Sequence, residues 1–339
     1  MEKLKFAAIG CGFWAQFQIA AWHEFAEEVE LVAVYNRTRE KAEKIAKKYK
    51  VPSVYESAGE LMEKEDLDFV DIITHVSTHE KFVKMAADNE IPVICQKPMA
   101  PDYRTAKNMV KYCQQRKVPF IIHENWRWQK PIRKVKSELD SGVIGKPFRA
   151  RISYNNSFPV FENQPSLAKL NRFIINDMGT HILDITRFLL GEAESIYCQT
   201  VSVQDIEGED VASIALRMEN GVHCNVEISY ASRIENDRFP ETFILIEGTK
   251  GSIKLGPDYQ VKITTEKGTF CQRVEPPYYE WIDPEYHLVH SSIVDANKEF
   301  LQALKGVKAA ETEAPDNLKT MKLVAKAYES AEKGEVVFI

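Results

Sequence analysis

The sequence has no membrane-length apolar run, no C-x-x-C pair and no surplus of positive charge. Each absence removes a class of function. A helix needs about 20 consecutive apolar residues to cross a bilayer, and no stretch supplies them. The N-terminus passes from Met-Glu-Lys directly into an apolar strand, so no secretory signal peptide is expected and a cytoplasmic location is. Cys11, Cys95, Cys113, Cys198, Cys224 and Cys271 lack zinc-type spacing and read as reduced, mostly buried thiols. A formal net charge of −6 gives no reason to expect nucleic acid as a partner. Lys41, Lys44, Lys47 and Lys48 alternate with Glu40 and Glu43, as on a solvated helix face. Internal repeats and low-complexity segments are also missing. What is left is a globular chain of 339 residues, 44% hydrophobic, enough for about two domains.

The most informative stretch comes first. Residues 6–9 form a short apolar run that ends in Gly10-Cys11-Gly12, and Trp14, Phe17, Ile19, Ala20 and Trp22 follow at helical spacing. Strand, glycine turn and helix in that order are the setting of a dinucleotide-binding fingerprint. Gly10 suits the sharp turn, and Gly12 lets backbone approach a pyrophosphate. Free N–H groups of the first helical turn would face the anion. Ala15 stands in the third small position. A second strand ends at Asn36, where the fingerprint usually places an acidic ribose ligand about 20 residues on. Asn36 can still bind a ribose hydroxyl, while Arg37 can meet a 2′-phosphate or stack on adenine. NAD and NADP both remain open, with a lean to NAD.

Further strands and helices alternate up to residue 125, which predicts a doubly wound parallel sheet. Helices are expected over 39–49, 58–64, 79–88 and 103–116, with Ser77 or Thr78 capping the third. Ligands in such sheets bind beyond the carboxyl ends of the strands, where Gly10, Asn36, Thr74, Lys97 and Asn125 fall. After residue 125 the pattern changes. A helix at 132–141 stops at Gly142, then period-2 strands appear over 148–155, 196–203, 212–218, 222–230, 242–247, 252–255, 260–265 and 269–274. Helices at 181–190, 291–305 and 314–333 complete the chain. The expected fold is α/β: an N-terminal Rossmann domain over 1–125, and over 126–339 an α+β domain with a large, mostly antiparallel sheet. The C-terminal helix can return to the first domain. Ile214, Leu216 and Val226 are expected on the sheet's open face, as a homodimer or homotetramer surface.

Four segments carry a family resemblance: Ala8-Ile9-Gly10-Cys11-Gly12, Gln96-Lys97-Pro98, Asp177-Met178-Gly179-Thr180-His181-Ile182-Leu183-Asp184, and Asp316-Asn317-Leu318-Lys319-Thr320 with Tyr328-Glu329-Ser330-Ala331. In this order they resemble the Gfo/Idh/MocA family of NAD(P)-dependent oxidoreductases over essentially the whole length. The family pattern is usually Glu-Lys-Pro; here Gln96 removes a carboxylate beside Lys97. The resemblance implies that Lys97 hydrogen-bonds the reacting hydroxyl and bridges the two domains. Asp177 and His181 stand i, i+4, which on an α-helical turn puts them on one face, suited to proton transfer at neutral pH. An Asp-x-x-x-His also occurs in metal sites, but no third ligand supports one, so no metal is expected. Cofactor contacts are expected from Gly10, Cys11, Gly12, Phe13, Trp14, Asn36, Arg37, Thr74, His79, Gln96 and Lys97. Substrate contacts are expected from Lys97, Glu124, Asn125, Arg127, Arg172, Asp177 and His181, with Trp126 and Trp128 packed or stacked on a sugar face.

Asn125-Trp126-Arg127-Trp128 and the loop from Gln164 to Phe173 also resemble the D-apiose dehydrogenase branch, which oxidises a branched aldose to its lactone with NAD. Asn171 departs from that branch, where a proline is expected. The function implied is hydride transfer between a sugar or polyol carbinol carbon and nicotinamide. Two alternatives stand beside it: a non-catalytic NAD(P)-binding sensor, and an enzyme that uses bound NAD transiently for hydrolysis or isomerisation.

Overall fold

A computed structural model of the chain describes residues 2–339. Two compact units divide it: residues 1–125, 280–282 and 293–321 form the first, and 126–279, 283–292 and 322–339 the second.

The first unit is built on a six-stranded parallel sheet of order β3-β2-β1-β4-β5-β6. Its elements are β1 (Leu4–Ile9), α1 (Ala15–His23), β2 (Val29–Tyr35), α2 (Arg39–Tyr49), β3 (Ser53–Tyr55) and α3 (Ala58–Lys64). They continue with β4 (Phe69–Ile72), α4 (His79–Asp88), β5 (Val93–Gln96), α5 (Tyr103–Arg116) and β6 (Phe120–His123). The strand order reverses at β1, so the crevice for a ligand opens beyond β1 and β4. The central strands are short apolar runs because helices cover both faces. On one face Ala8, Val34, Ala15, Ile19 and Ile45 pack together. On the other, Ile9, Val70, Ile72, Val83 and Met109 do so. Apolar residues surround α1 on nearly all sides, and Ala15 and Phe17 to Trp22 are all buried. α4 starts where the sequence places it, but neither hydroxyl caps it in the expected way. Thr78 makes no side-chain cap, and its hydroxyl lies 2.8 Å from both Thr74 Oγ1 and the His75 carbonyl. The local turn offers these nearer acceptors, which compete with a cap.

The second unit opens with α6 (Lys130–Asp140), ended by Gly142 at φ +72°. Then come β7 (Pro147–Asn155), α7 (Val160–Asn163), α8 (Thr180–Leu190), β8 (Ala193–Val201), β9 (Val211–Met218) and β10 (His223–Ser229). β11 (Phe243–Gly248), β12 (Gly251–Gly256), β13 (Gln260–Thr265) and β14 (Gly268–Arg273) continue the sheet. α9 (His287–Leu304) and α10 (Ala314–Lys333) each give residues to both units, and β15 (Val337–Phe338) adds an edge strand that the sequence reading did not foresee. The sheet is nine-stranded, antiparallel except where β7 pairs with β10.

One expectation about this sheet is corrected. Ile214, Leu216 and Val226 are 2%, 3% and 0% exposed, so they face the covered side. Because side chains alternate along a strand, their neighbours Ser213, Ala215, Arg217, Asn225 and Glu227 occupy the open face instead. That face is polar, and the apolar patch invoked for self-association is core.

Candidate active site

In the first unit the turn after β1 has the shape of a phosphate cradle. Gly10 adopts φ +110°, and a Cβ there would lie 2.6 Å from the Ile73 carbonyl oxygen. Only glycine meets both conditions. A Cβ on Gly12 would meet nothing within 4 Å, so that backbone is open to an approaching group. α1 begins with Trp14 as an N-cap that offers no side-chain acceptor, and its first turn holds no acidic residue. Its end therefore presents donors and positive dipole to an anion. These features fit a dinucleotide pyrophosphate. Cys11 packs beneath the turn, and burial pushes its thiol up to about 12, so it acts as an inert apolar group. Phe13 is 42% exposed and meets Phe17 edge-on.

Asn36 is tied into this cradle. Its Oδ1 accepts from the Cys11 N–H at 2.9 Å and its Nδ2 donates to the Thr38 carbonyl at 2.8 Å. The carboxamide thereby joins the end of β2 to the glycine turn. Arg37 is exposed, and among the described residues no ion pair engages it. Arg39 pairs with Glu43 and Glu56 on the solvent side of α2.

Thr74 follows β4, and its Cγ2 is the side-chain atom nearest to where a Cβ on Gly10 would stand. His79 has another place than an open cleft. It is 1% exposed, with Nε2 3.1 Å from the Thr74 carbonyl and Nδ1 3.1 and 3.3 Å from the carbonyls of Pro98 and Met99. Burial lowers its pKa. The imidazole links the loop after β4 to the turn after β5. That turn contains Gln96, buried, and Lys97, half-buried, joined to Pro98 by a cis peptide. Gln96 Oε1 accepts from the Lys97 N–H at 3.1 Å. Glu124 and Asn125, beyond β6, are 0% and 2% exposed.

In the second unit Asp177 lies in a π-helical turn, Ile175–Gly179, that leads into α8. The α-helical i, i+4 geometry expected for Asp177 and His181 therefore does not describe this pair. A wider turn carries Asp177, of a kind found mostly at functional sites. Gly179 permits it, since a Cβ there would come 2.9 Å from Ile175 Cγ2. His181 is 4% exposed and stacks on Trp126 at 4.5 Å between centroids and 16° between planes. Trp126 meets Tyr154 edge-on, and Tyr154 meets Tyr230. Burial raises both phenols, and the nearby Asp177 carboxylate adds to the effect. This aromatic floor was missed in the sequence, where Tyr154 and Tyr230 read as ordinary strand residues.

Two expected substrate residues have protein partners. Arg127, 5% exposed, clamps Asp184 on α8, which is 0% exposed. Its Nε and Nη2 each donate to one carboxylate oxygen at 2.7 Å. The planar fork of arginine matches a carboxylate, so this pair fixes α8 and with it His181. Arg172 lies on the surface, paired with Glu332 of α10 and set over the Tyr328 ring at 4.8 Å. Asp184 closes the family-like segment that begins at Asp177 but was given no partner, and Glu332 was not singled out, because only the fold brings them to an arginine. Among the described residues no group of three His, Cys, Asp or Glu side chains is arranged to hold a metal ion. Nor is any helix long and apolar enough to cross a membrane.

Known proteins match this arrangement along the whole chain. Residues 4–124 match the model of the GFO/IDH/MocA oxidoreductase family, NAD-binding Rossmann fold, and 132–254 match the GFO/IDH/MocA C-terminal domain. The chain is 39% identical over 340 residues to a D-apiose dehydrogenase of Rhizobium rhizogenes, covering 100% of this chain and 98% of that protein. It is 37% identical to a D-apiose dehydrogenase of Paraburkholderia graminis, covering 99% and 90%. The crystal structure of an oxidoreductase from Agrobacterium radiobacter in complex with NAD+, L-tartaric acid and magnesium superposes with a TM-score of 0.97. That protein is 39% identical, with 99% of this chain and 98% of that one covered.

Proposed function

The chain belongs to the GFO/IDH/MocA oxidoreductase family, and on that basis we propose that it is an NAD-dependent sugar dehydrogenase oxidising the anomeric carbon of D-apiose to a lactone. The observation that carries this reading is the full-length similarity to two D-apiose dehydrogenases. Residues 1–125 would hold the cofactor and 126–339 supply the substrate side. Gly10, Gly12 and the start of α1 receive the pyrophosphate, Asn36 the ribose, and the Arg37 guanidinium stacks on adenine. Preference for NAD over NADP is part of the proposal.

Nicotinamide, when bound, supplies the carbon that accepts a hydride. The protein's part is to place the sugar and move one proton. The Lys97 ammonium donates to the reacting hydroxyl oxygen and stabilises negative charge as it develops there. His181, neutral and held flat by Trp126, takes the hydroxyl proton. As the O–H proton leaves for His181 and the C–H hydride departs, the carbinol carbon becomes a carbonyl. Asp177 stabilises the resulting imidazolium. Lys97 and His181 would thus act on one substrate molecule. Such positioned acid–base groups contribute about 100- to 10,000-fold each.

The test is a parallel assay of D-apiose, D-xylose and myo-inositol with NAD and with NADP, following absorbance of the reduced cofactor. D-apiose with NAD is expected to give the highest kcat/KM. A higher value for myo-inositol or D-xylose would overturn the substrate assignment, and a higher value with NADP the cofactor assignment.

A further inference from the structure

Asp71 is a carboxylate in the middle of a parallel sheet. It lies on β4 between Ala8 of β1 and Ile94 of β5, and its exposure is 0%. Among the described residues no cation pairs with it. A buried charge is retained only when hydrogen bonds compensate for lost water. Three such bonds do so here. Gln18 Nε2 donates to Oδ1 and Oδ2 at 2.7 and 2.8 Å, and Trp22 Nε1 donates to Oδ2 at 2.8 Å. Both donors come from one face of α1, i and i+4 apart.

The bonds continue outward. Gln18 Oε1 accepts from Gln96 Nε2 at 2.6 Å, and Gln96 Oε1 accepts from the Lys97 N–H at 3.1 Å. Gln18 is 0% exposed and Gln96 8%, so water does not replace these partners. The polarity of the chain is forced from both ends. The Lys97 N–H can only donate, so Gln96 must turn its oxygen to it and its amide nitrogen to Gln18. Gln18 must then turn its oxygen to Gln96 and its nitrogen to residue 71. The indole N–H of Trp22 can also only donate. Residue 71 must therefore accept from both sides, which the two oxygens of Asp71 do, whereas a carboxamide would turn donor N–H groups towards Gln18 or Trp22. The other ionisable group facing Asp71 is the Cys95 thiol of β5, held well above its ordinary pKa by burial and so neutral.

We propose that Asp71, Gln18 and Gln96 form a polarised hydrogen-bond relay that positions the turn carrying Lys97, with Asp71 as its acceptor anchor. Position 96 is a carboxamide that can face either way; the acceptor that sets its direction resides on the neighbouring strand and acts through Gln18. Asp71 is a positioning residue. Its effect on turnover rests on the catalytic role proposed above for Lys97, but its effect on the turn does not.

The parity of the chain supplies a test. Asp71→Asn puts an amide nitrogen against the Gln18 amide nitrogen. Gln96→Glu puts a carboxylate against the Gln18 oxygen. In the double variant the two links through Gln18 re-form with reversed polarity, while Trp22 and the Lys97 N–H still donate. The new carboxamide at position 71 accepts from Trp22 and donates to Gln18. Gln18 in turn donates to the new carboxylate at position 96, which also accepts from the Lys97 N–H. Each single variant is expected to lose about tenfold or more in kcat at neutral pH, and the double to recover to within about threefold of the parent, a strongly non-additive cycle. In Asp71→Asn, KM for sugar and the affinity for NADH should stay close to parent values. Hydrogen exchange at the Lys97 amide reads the relay without any assay: protection falls in each single variant and returns in the double. Gln96→Glu alone should also regain protection on acidification, when its carboxylate gains a proton to donate, and this arm holds if Asp71→Asn does not fold. Losses that multiply in the double variant, or a Gln96→Glu protein with parent-like exchange at neutral pH, would overturn the relay. A parent enzyme that oxidises no sugar would overturn the proposed function, while the exchange cycle would still decide the relay.

Discussion

Lys97 stands one residue beyond β5, half-buried, with its backbone N–H bonded to Gln96 and the carbonyls after it facing His79. The ammonium is thus carried on a turn that neighbouring side chains hold in place. Lys97→Met keeps the length of the side chain and removes the charge. Its kcat is expected to fall about 100- to 10,000-fold with NADH affinity retained, measured by steady-state kinetics beside cofactor fluorescence titration. Asn36 offers a second test at this scale. Asn36→Asp keeps an acceptor for the Cys11 N–H but places negative charge at the adenosine ribose. The ratio of kcat/KM for NAD over NADP is expected to rise, because a carboxylate repels a 2′-phosphate. An unchanged ratio would remove Asn36 from the ribose. Single residues were legible where backbone geometry dictates them. Gly10 is the example, since its φ and its lack of space both exclude a side chain. Asp71 left a visible trace too, an acidic residue inside Phe69-Val70-Asp71-Ile72, but its partners Gln18 and Trp22 lie on another element. Arg127 and Arg172 looked alike in the sequence. One proved a buried clamp on Asp184 and the other a surface pair with Glu332, a distinction made only by tertiary contacts.

At the scale of elements, periodicity and turn residues located α2, α3, α4, α5 and α10 at the boundaries observed. They located the strands of the second sheet to within a few residues. Two things escaped. β15 pairs over Val337–Phe338, too short for any period to register. The π turn at Ile175–Gly179 carries no local signature beyond Gly179, whose close approach to Ile175 appears only in three dimensions. Face assignment on β9 and β10 failed for a related reason. Alternation shows that Ile214, Leu216 and Val226 share a face, not which face is covered. The buried Arg127–Asp184 pair ties α8 to the segment before α6. Removing one partner strands the other charge, so Asp184→Asn is expected to destabilise the fold by about 3–5 kcal/mol, read as a lower denaturation midpoint. A midpoint within error of the parent would show that the clamp is not structural.

Across the whole molecule, stability should depend on pH in opposing ways. Burial lowers His123 to about 4, and its Nε2 lies 3.0 Å from Asn297 Oδ1. Burial likewise lowers His290 to about 3. The unfolded chain binds protons at these positions near pH 6.5, before the folded chain does. Their contribution is therefore present above pH 6.5 and is lost as pH falls towards 4, by up to about 3 kcal/mol for His123. Asp71 and Glu241, raised to about 7 by burial, act in the other sense. The fold takes up their protons first, so they favour folding as pH falls from 7 towards 4. A difference measurement separates the two. His123→Gln cannot take the proton, so its melting temperature should fall less than the parent's between pH 6.5 and 4. Parallel curves would show that His123 titrates normally.

The proposed function assigns Lys97 and His181 to a single sugar molecule. The direct measurement is turnover of D-apiose with NAD by the parent protein, by Lys97→Met and by His181→Asn, with NADH binding recorded for all three. The parent should reduce NAD stoichiometrically with lactone formed, and both variants should bind NADH yet lose turnover by about 100-fold or more. A parent that binds NADH and oxidises no sugar, or variants that turn over as fast as the parent, would contradict the assignment and leave a cofactor-binding sensor in its place.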